Sequence, residues 1–365
     1  MQSVSRRSFI AGSIACAGIS AVSLSACSQG GASHAGGSEK PVLSATPEKR
    51  ELWGSPDLCT VRTGLIMGPP SMGLSQFLLA AKNHKTKNNF TFEFNAVDYI
   101  GLSARLNNGD FDIATLPSNI GPILYNNHEL KNEYVLMCIN NLGVLYVMTT
   151  DASIKTMDDL RGRTVYAYGA GGTPEYTIRA LLKKKNMSDA FNLEFKSTPF
   201  EILNLLQEKP NSIALLPQPF ISLSKLLVNP LYVPIDITKE WDAAFADNGA
   251  QAVMTTTIVN KKFLHEHEQA VIEYLTLMKS SVEWTKQNYR KAAALQEDLG
   301  SFLNNAVALD AFPYLAICCI TGTKMRTAMS GFVEQLYDAD PESVGGAIPD
   351  DGFYYLPPSG MLGEA

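Results

Sequence analysis

The sequence predicts an α/β protein made of two lobes with similar topology. Short β-branched or aromatic runs alternate with helical stretches of about 10–15 residues, which is the pattern of parallel α/β architecture. One motif recurs one hundred residues later, since Ile113-Ala114-Thr115-Leu116-Pro117 returns as Ile213-Ala214-Leu215-Leu216-Pro217. A length of 365 residues suits two such lobes, because domains typically have roughly 100–200 residues.

The first 26 residues predict a signal peptide. Ser5-Arg6-Arg7-Ser8-Phe9-Ile10 resembles the twin-arginine export signature, and 19 uncharged residues run from Ser8 to Ala26. Leu24-Ser25-Ala26-Cys27 resembles a bacterial lipobox, in which the cysteine becomes lipidated and N-terminal. The alternative is an N-terminal anchor helix with a chance cysteine. We expect an exported protein that is held to the cell membrane by lipid on Cys27 and faces outside the cytoplasm.

A flexible tether is predicted for residues 27–57. Seven of the thirteen residues 28–40 are Gly or Ser, which is the composition of a flexible linker. A tether that follows a lipid anchor implies a globular body that reaches something at the membrane surface.

Composition excludes two classes of protein. The formal net charge of −6 disfavours a nucleic-acid partner, because that binding depends on clustered Lys and Arg. No strongly apolar run of about 20 residues follows the signal, which excludes a multi-span membrane protein. We expect a monomer.

The first predicted lobe is discontinuous and comprises residues 58–144 and 251–365. Its first part predicts strands at Thr60–Met67, Phe90–Ala96, Phe111–Leu116 and Tyr134–Ile139, and helices at Met72–His84 and Tyr99–Asn107. The apolar run Asn141–Thr150 is the expected crossing to the second lobe. The expected return crossing, Gln251–Val259, precedes a long helix at Lys262–Asn288 and further helices to Leu309.

The second predicted lobe, residues 145–250, repeats the alternation. The patterns predict strands at Thr164–Tyr168, Leu193–Lys196, Ser212–Leu216 and Tyr232–Ile235, and helices at Pro174–Lys185, Phe200–Gln207 and Phe220–Leu227.

The candidate binding residues follow matching strands of the two lobes. Ligands of open α/β sheets bind outside the carboxyl ends of the strands, so we expect one cleft between the lobes. The candidates are Gly68, Pro69, Pro70, Ser71, Met72, Pro117, Ser118, Asn119, Asn141, Gly171, Gly172, Thr173, Gln218 and Pro219.

A Gly-rich turn, residues 169–174, enters a helix, with Thr173 expected as the N-cap and Pro174 as the first helical residue. Its amides and the positive helix end favour an anionic or strongly hydrogen-bond-accepting ligand. The alternative is a helix start without a ligand. A dinucleotide fingerprint needs a third glycine where Pro174 stands, and no phosphate-loop or nucleophile-elbow motif occurs. We expect no cofactor and no catalytic residues.

Cysteine and histidine patterns favour structural roles. Cys318 and Cys319 lack a C-x-x-C spacing, and core packing is favoured over a redox site. In His265-Glu266-His267-Glu268 neither histidine has a partner at helical i+4 spacing, which favours a solvated helix start over a zinc site. We expect no metal.

Short motifs in a fixed order carry a family resemblance over nearly the whole mature body. They are Ile66-Met67-Gly68-Pro69-Pro70-Ser71-Met72-Gly73-Leu74, Phe111-Asp112-Ile113-Ala114 with Leu116-Pro117-Ser118-Asn119, Asn141-Leu142-Gly143-Val144-Leu145-Tyr146, Gly172-Thr173-Pro174-Glu175-Tyr176, Leu216-Pro217-Gln218-Pro219-Phe220, and Ser343-Val344-Gly345-Gly346 with Asp350-Asp351-Gly352-Phe353-Tyr354-Tyr355. The chain thereby resembles solute-binding lipoproteins of ABC importers in the nitrate, sulfonate and taurine group, which is related to the thiamine-precursor binders.

The resemblance implies a type II periplasmic-binding fold, with two α/β lobes that close like a flytrap on a two-strand hinge. It also implies delivery of a small-molecule solute to an ABC permease and ATPase complex. Many relatives carry Glu where Gln218 stands. A neutral amide there removes a repulsive charge for an anion, or a partner for a cation.

Three functions stay open, led by the lipid-anchored binding protein of an importer. The others are a ligand sensor that docks onto a membrane receptor and an enzyme on the same fold. Ligand chemistry also stays open. The hydroxyl groups of Ser71, Ser118 and Thr173 suit a sulfonate or carboxylate. The aromatic residues Tyr99, Tyr168 and Phe220 equally suit a heteroaromatic ring such as a pyrimidine.

Overall fold

Two β-sheets organise the part of the chain that the structure describes. The computed structural model describes residues 46–95, 99–301 and 303–362, all of them within one unit, Pro41–Ala365. The predicted signal peptide, Cys27 and the first part of the predicted tether lie outside the described residues. Among the described helices, none combines the length and the apolar character needed to cross a membrane.

The strands alternate with helices along most of the chain. The strands are β1 (Thr60–Ile66), β2 (Asn89–Asn95), β3 (Ile113–Pro117), β4 (Tyr134–Leu142), β5 (Leu145–Thr149), β6 (Thr164–Tyr168), β7 (Asn192–Lys196), β8 (Ile213–Pro217), β9 (Tyr232–Asp236), β10 (Val253–Asn260) and β11 (Ile317–Ile320). The helices are α1 (Pro69–Gly73), α2 (Ser75–Lys82), α3 (Tyr99–Asn108), α4 (Ile120–Asn126), α5 (Thr173–Lys184), α6 (Pro199–Glu208), α7 (Phe220–Leu227), α8 (Ile237–Ala244), α9 (Lys261–Glu266), α10 (Glu268–Gln287), α11 (Tyr289–Asp298), α12 (Asn305–Ala311) and α13 (Gly322–Ala339). Short 3-10 turns lie at Met157–Leu160, Phe312–Tyr314, Pro341–Val344 and Asp351–Phe353.

The two sheets share one arrangement of parallel strands. The first sheet has the order β11-β4-β10-β3-β1-β2, in which β1 is parallel to β2 and β3, and β10 is antiparallel to β3 and β4. The second has the order β7-β6-β8-β5-β9, in which β6 is parallel to β7 and β8, and β5 is antiparallel to β8 and β9. Each sheet places its first parallel strand between the other two.

The predicted internal repeat occupies equivalent positions in the two sheets. Ile113–Pro117 forms β3 and Ile213–Pro217 forms β8. Each pairs in parallel with the first parallel strand of its sheet, β1 or β6, with Thr63 opposite Ile113 and Val165 opposite Ile213. Both strands are almost fully buried, which explains why the two motifs are apolar. The predicted two-lobed α/β architecture is confirmed.

The chain passes from the first sheet to the second at Gly143 and Val144. The predicted crossing at Asn141–Thr150 therefore consists of the end of β4, these two residues and β5. Gly143 is required here, because a Cβ atom would lie 2.3 Å from Oγ1 of Thr238 on α8. The return follows α8 and enters β10 at Val253. The lobe boundaries after residues 144 and 250 remain predictions.

Two predicted helices are each divided in the structure. Met72–His84 was expected as one helix, but α1 and α2 are separated at Leu74, which has φ −92° and ψ 10°. The helical segment also starts earlier, at Pro69, since prolines at the first helical positions forfeit no hydrogen bond. Lys262–Asn288 is divided into α9 and α10 at His267, which has φ −142° and ψ 43°.

The segment from Arg50 to Ser55 is docked onto α9 and α10, so the predicted tether ends before Asp57. Glu268, the first residue of α10, is 0% exposed and accepts two hydrogen bonds from the Arg50 guanidinium, at 2.6 and 2.7 Å. The Trp53 N–H and the Tyr355 hydroxyl donate to the same carboxylate at 2.6 and 2.7 Å. A buried carboxylate needs such partners, which is why this segment is docked. The predicted solvated helix start is therefore wrong for Glu268.

The described cysteines are free thiols packed at the first sheet. Sγ of Cys138 on β4 lies 3.6 Å from Sγ of Cys319 on β11. Burial raises the pKa of the Cys318 thiol to about 12, which keeps it protonated at neutral pH. Among the described residues no cluster of His, Cys, Asp and Glu side chains has the arrangement of a metal site.

Candidate functional site

A cavity of about 320 Å³ lies between the carboxyl ends of the two sheets. Residues at the carboxyl ends of β1, β3, β6, β7 and β8, or shortly after them, contribute to it, together with residues of β4 and β10 and the crossing residue Val144. The apolar lining residues are Ile66, Met67, Pro69, Pro70, Pro117, Val144, Tyr168, Pro174, Pro199, Phe200, Pro217, Pro219, Phe220 and Met254. The others are Gly68, Asn141, Thr198, Gln218 and Thr255. This is the edge of the sheets at which ligands of open α/β folds bind.

Half of the predicted binding residues line this cavity. They are Gly68, Pro69, Pro70, Pro117, Asn141, Gln218 and Pro219. The other seven are placed elsewhere, and they are Ser71, Met72, Ser118, Asn119, Gly171, Gly172 and Thr173. Contact of any of the fourteen with a ligand stays a prediction.

Three of the predicted polar residues bond the two lobes to each other. Ser118 and Asn119 follow β3 of the first sheet. Thr173 is the first residue of α5, the helix that follows β6 of the second sheet. The Thr173 hydroxyl donates to Oδ1 of Asn119 at 3.0 Å, accepts from the Asn119 N–H at 3.3 Å and lies 3.1 Å from Oγ of Ser118. Asn119 Nδ2 also donates to the carbonyl of Gly171, at 3.2 Å. We call Ser118, Asn119 and Thr173 the interlobe latch.

All three latch side chains are fully buried. Ser118 Oγ donates to the carbonyl of Val253 at 2.5 Å, so its hydrogen is engaged within the first lobe. Asn119 Nδ2 donates in addition to the carbonyl of Ser343, at 3.3 Å. Two of the three hydroxyl groups expected to bind a ligand, those of Ser118 and Thr173, thus stabilise contact between the lobes.

The Gly-rich turn uses its own amides. The Gly171 N–H donates to the Glu175 carboxylate at 2.8 Å, and the Gly172 N–H donates to the carbonyl of Gly169 at 3.0 Å. Gly169 and Gly171 have φ of 93° and 72°, a region that favours glycine. The predicted N-cap is wrong by one residue: Gly172 is the N-cap, and the Thr173 side chain is turned into the latch.

Ser71 and Met72 have structural contacts. The Ser71 hydroxyl accepts from the Gly68 N–H at 3.2 Å and donates to the Gly68 carbonyl at 3.0 Å, which closes the turn after β1. Met72 is 1% exposed and packs with residues of α11 and α12.

Gln218 is the best-defined polar group of the cavity wall. Its side-chain Oε1 accepts from the Ser222 N–H at 3.3 Å and from the Ser222 hydroxyl at 3.1 Å. A backbone N–H can only donate, so the atom that faces it is the amide oxygen. No described residue accepts a hydrogen bond from Nε2 of Gln218, which leaves that donor for the cavity.

The other polar side chains of the wall are engaged with their neighbours. The Thr255 hydroxyl donates to Oδ1 of Asn141, and Asn141 Nδ2 donates to the Leu142 carbonyl at 2.9 Å. The Thr198 hydroxyl caps α6 by accepting from the Glu201 N–H at 3.2 Å. These contacts fix the wall before a ligand arrives.

The cavity is also lined by three residues after β7 that were not among the predicted ones, Thr198, Pro199 and Phe200. The same rule on carboxyl ends predicts them, because β7 is parallel to β6 and ends at the same edge. Met254 and Thr255 on β10 were missed for a different reason. Their place in the wall depends on pairing with β3 and β4, which are distant in the sequence.

The chain matches no family model and no curated protein. Solved structures resemble it over most of its length. An ABC transporter from Parabacteroides distasonis has a TM-score of 0.65 and 22% identity, covering 81% of this chain and 98% of that one. The periplasmic aliphatic sulphonate binding protein SsuA from Escherichia coli has a TM-score of 0.62 and 14% identity, covering 84% and 94%. The desulfurization enzyme DSZB has a TM-score of 0.55 and 12% identity, covering 83% and 97%.

These likenesses concern the fold. The chain has the two-lobed α/β architecture of periplasmic binding proteins, with its cavity between the lobes. A cavity of this kind can enclose a small molecule between two bodies that move relative to one another.

Proposed function

We propose that this protein is an extracytoplasmic solute-binding protein, which captures a small solute between its lobes and delivers it to the permease and ATPase of an ABC importer. The observation that carries the proposal is the cavity itself, because loops of both sheets build it jointly. A site shared by two lobes is complete only when the lobes meet, so solute binding and lobe closure are coupled. The fold shared with an ABC transporter protein and with SsuA supports this role.

The interlobe latch supports a role for closure. Its hydrogen bonds join Thr173 of one lobe to Ser118 and Asn119 of the other, beside the cavity wall at Pro117 and Pro174. An ion pair between Lys225 on α7 and Asp310 on α12, at 2.9 Å, also bridges the lobes. Polar contacts of this kind can form and break as two lobes move about a hinge.

The membrane anchor is part of the proposal. Signal cleavage before Cys27 and lipid on that residue would hold a monomer at the outer face of the membrane. The tether, shortened by the docked segment from Arg50, would leave roughly 20 residues of flexible chain, which keeps the body near the importer at high local concentration.

The alternatives are a ligand sensor and an enzyme on the same fold. DSZB shares the fold and is named as an enzyme. However, none of the described residues around this cavity is His, Cys, Lys, Asp or Glu, the groups that most often act as nucleophiles, acids or bases. That wall supports binding without chemistry. The sensor differs from the importer component only in its partner.

Cross-linking in native membranes tests the proposed partner. We expect mass spectrometry to recover extracytoplasmic loops of an ABC permease with the wild-type protein. The Cys27→Ala variant is the control, because without lipid it should leave the membrane fraction and lose these cross-links. Recovery of a sensor kinase or other receptor in place of a permease would favour the sensor and contradict the importer role.

A further inference from the structure

We infer that the cleft takes a small uncharged solute with an apolar body and a hydrogen-bond acceptor directed at Gln218. This inference rests on the proposed function and adds the chemical class of the solute. It separates this protein from the sulphonate binding suggested by the name of SsuA.

The cavity wall offers no charged side chain among the described residues. None of the described residues around the cavity is Lys, Arg, His, Asp or Glu. An ion that enters such a wall loses its hydration and gains no opposite charge, which costs far more than one neutral hydrogen bond returns. A neutral solute loses much less hydration free energy when it enters the cavity.

Three backbone amides at the turns that could bind an anion already donate to partners within the protein. At the Gly-rich turn, the Gly171 N–H is held by the Glu175 carboxylate and the Gly172 N–H by a carbonyl. At the matching turn of the first lobe, the Gly68 N–H is bonded to Ser71. The amides of Gly171, Gly172 and Gly68 are therefore not available to an anion in the cavity.

Both lobes contribute apolar surface to the cavity. The second lobe contributes the rings of Tyr168, Phe200 and Phe220, and the last two meet edge to face with centroids 5.8 Å apart. The first lobe contributes Pro69, Pro70 and Pro117. Aromatic rings opposite prolines offer rigid apolar contact area to a solute body, with little conformational entropy lost on binding.

Gln218 supplies an oriented donor. Oε1 of Gln218 is held by Ser222, so Nε2 is fixed as a donor toward the cavity. Gln218 is 2% exposed, and a buried donor is most stable when an acceptor meets it. A carbonyl, ether or ring-nitrogen acceptor on the solute would satisfy it.

The cavity volume suits a small molecule. At about 320 Å³ it lies at the lower end of the range of roughly 300–1,000 Å³ that small-molecule pockets occupy, which is enough for a substituted six-membered ring.

Matched pairs of neutral and anionic probes test the inference. Benzamide with benzoate, and benzenesulfonamide with benzenesulfonate, differ in charge at nearly constant shape. We expect calorimetric titration of the full-length protein to show the neutral member of each pair binding at least tenfold more tightly.

The Gln218→Leu variant should bind the neutral probes about tenfold more weakly than the wild-type protein. Gln76→Leu, an exposed change on α2, should leave their affinity unchanged. Melting curves without probe check that both variants fold.

Each outcome decides between the two claims. Tighter binding of the anionic members would overturn the uncharged class and leave the solute-binding role intact. Equal affinity of the Gln218→Leu and wild-type proteins for the neutral probes would overturn the role of Gln218. Absence of binding by every probe at millimolar concentration would count against both claims, because a preformed apolar cavity of this size accepts apolar fragments.

Discussion

We expect the Arg50→Ala variant to have a free energy of unfolding about 3 kcal/mol lower than that of the wild-type protein. Arg50 supplies the only positive charge that the described residues place on the buried Glu268 carboxylate. Removing it leaves a charge in the core with only the Trp53 N–H and the Tyr355 hydroxyl as partners. The expected cost is at the low end for a broken buried pair, since the Arg50 side chain is 22% exposed.

Denaturant unfolding measures this difference, and two variants interpret it. Lys262→Ala removes an exposed pair whose lysine is 81% exposed, and it should change the stability by less than about 0.5 kcal/mol. Combining Arg50→Ala with Glu268→Gln should recover part of the loss, because no charge is then left buried. A stability of Arg50→Ala within about 0.5 kcal/mol of wild type would show that the docked segment is dispensable.

The Thr173→Val variant is expected to shift the lobes toward an open arrangement. Valine keeps the shape but removes the hydroxyl that bonds Asn119 and contacts Ser118. Asn119 then keeps only its Nδ2 bond to the Gly171 carbonyl across the interface, and Ser118 keeps none. The expected cost is about 2 kcal/mol, or roughly a 30-fold shift in the closing equilibrium. Small-angle scattering should give a larger radius of gyration than for the wild-type protein.

Thr177→Val is the matched control for the latch. Thr177 lies one turn further along α5, is buried, and its hydroxyl has no described partner. This change should leave the radius of gyration unaltered and the stability equal or higher. If Thr173→Val scatters like Thr177→Val, the latch does not hold the lobes together.

The architecture could be predicted because short sequence patterns indicate its strands and helices. The buried strands β3 and β8 appear as two matching apolar motifs, and the rule on carboxyl ends then locates the cleft from the strands alone. Pro117 and Gln218, the residues directly at or after those strands, were found in this way.

The roles of the polar loop residues could not be predicted, because they depend on partners far away in the sequence. Thr173 is separated from Asn119 by 54 residues, and Arg50 from Glu268 by 218. The periodicity of apolar residues along the sequence does not indicate such long-range contacts. A serine or threonine at a strand end looks the same whether it faces a ligand or the opposite lobe. The flexible composition before Arg50 likewise gave no sign that the next residues are docked.

Native mass spectrometry of the gently purified full-length protein tests most directly whether the cavity between the lobes holds a small solute. We expect one solute per wild-type chain and a strongly reduced amount in Met67→Trp, because the larger indole narrows the cavity that Met67 lines. Met361→Trp changes a residue that is 43% exposed and outside the cavity, so it should retain the solute. Wild-type protein without a bound solute, or a solute retained equally by Met67→Trp, would contradict a binding site in this cleft.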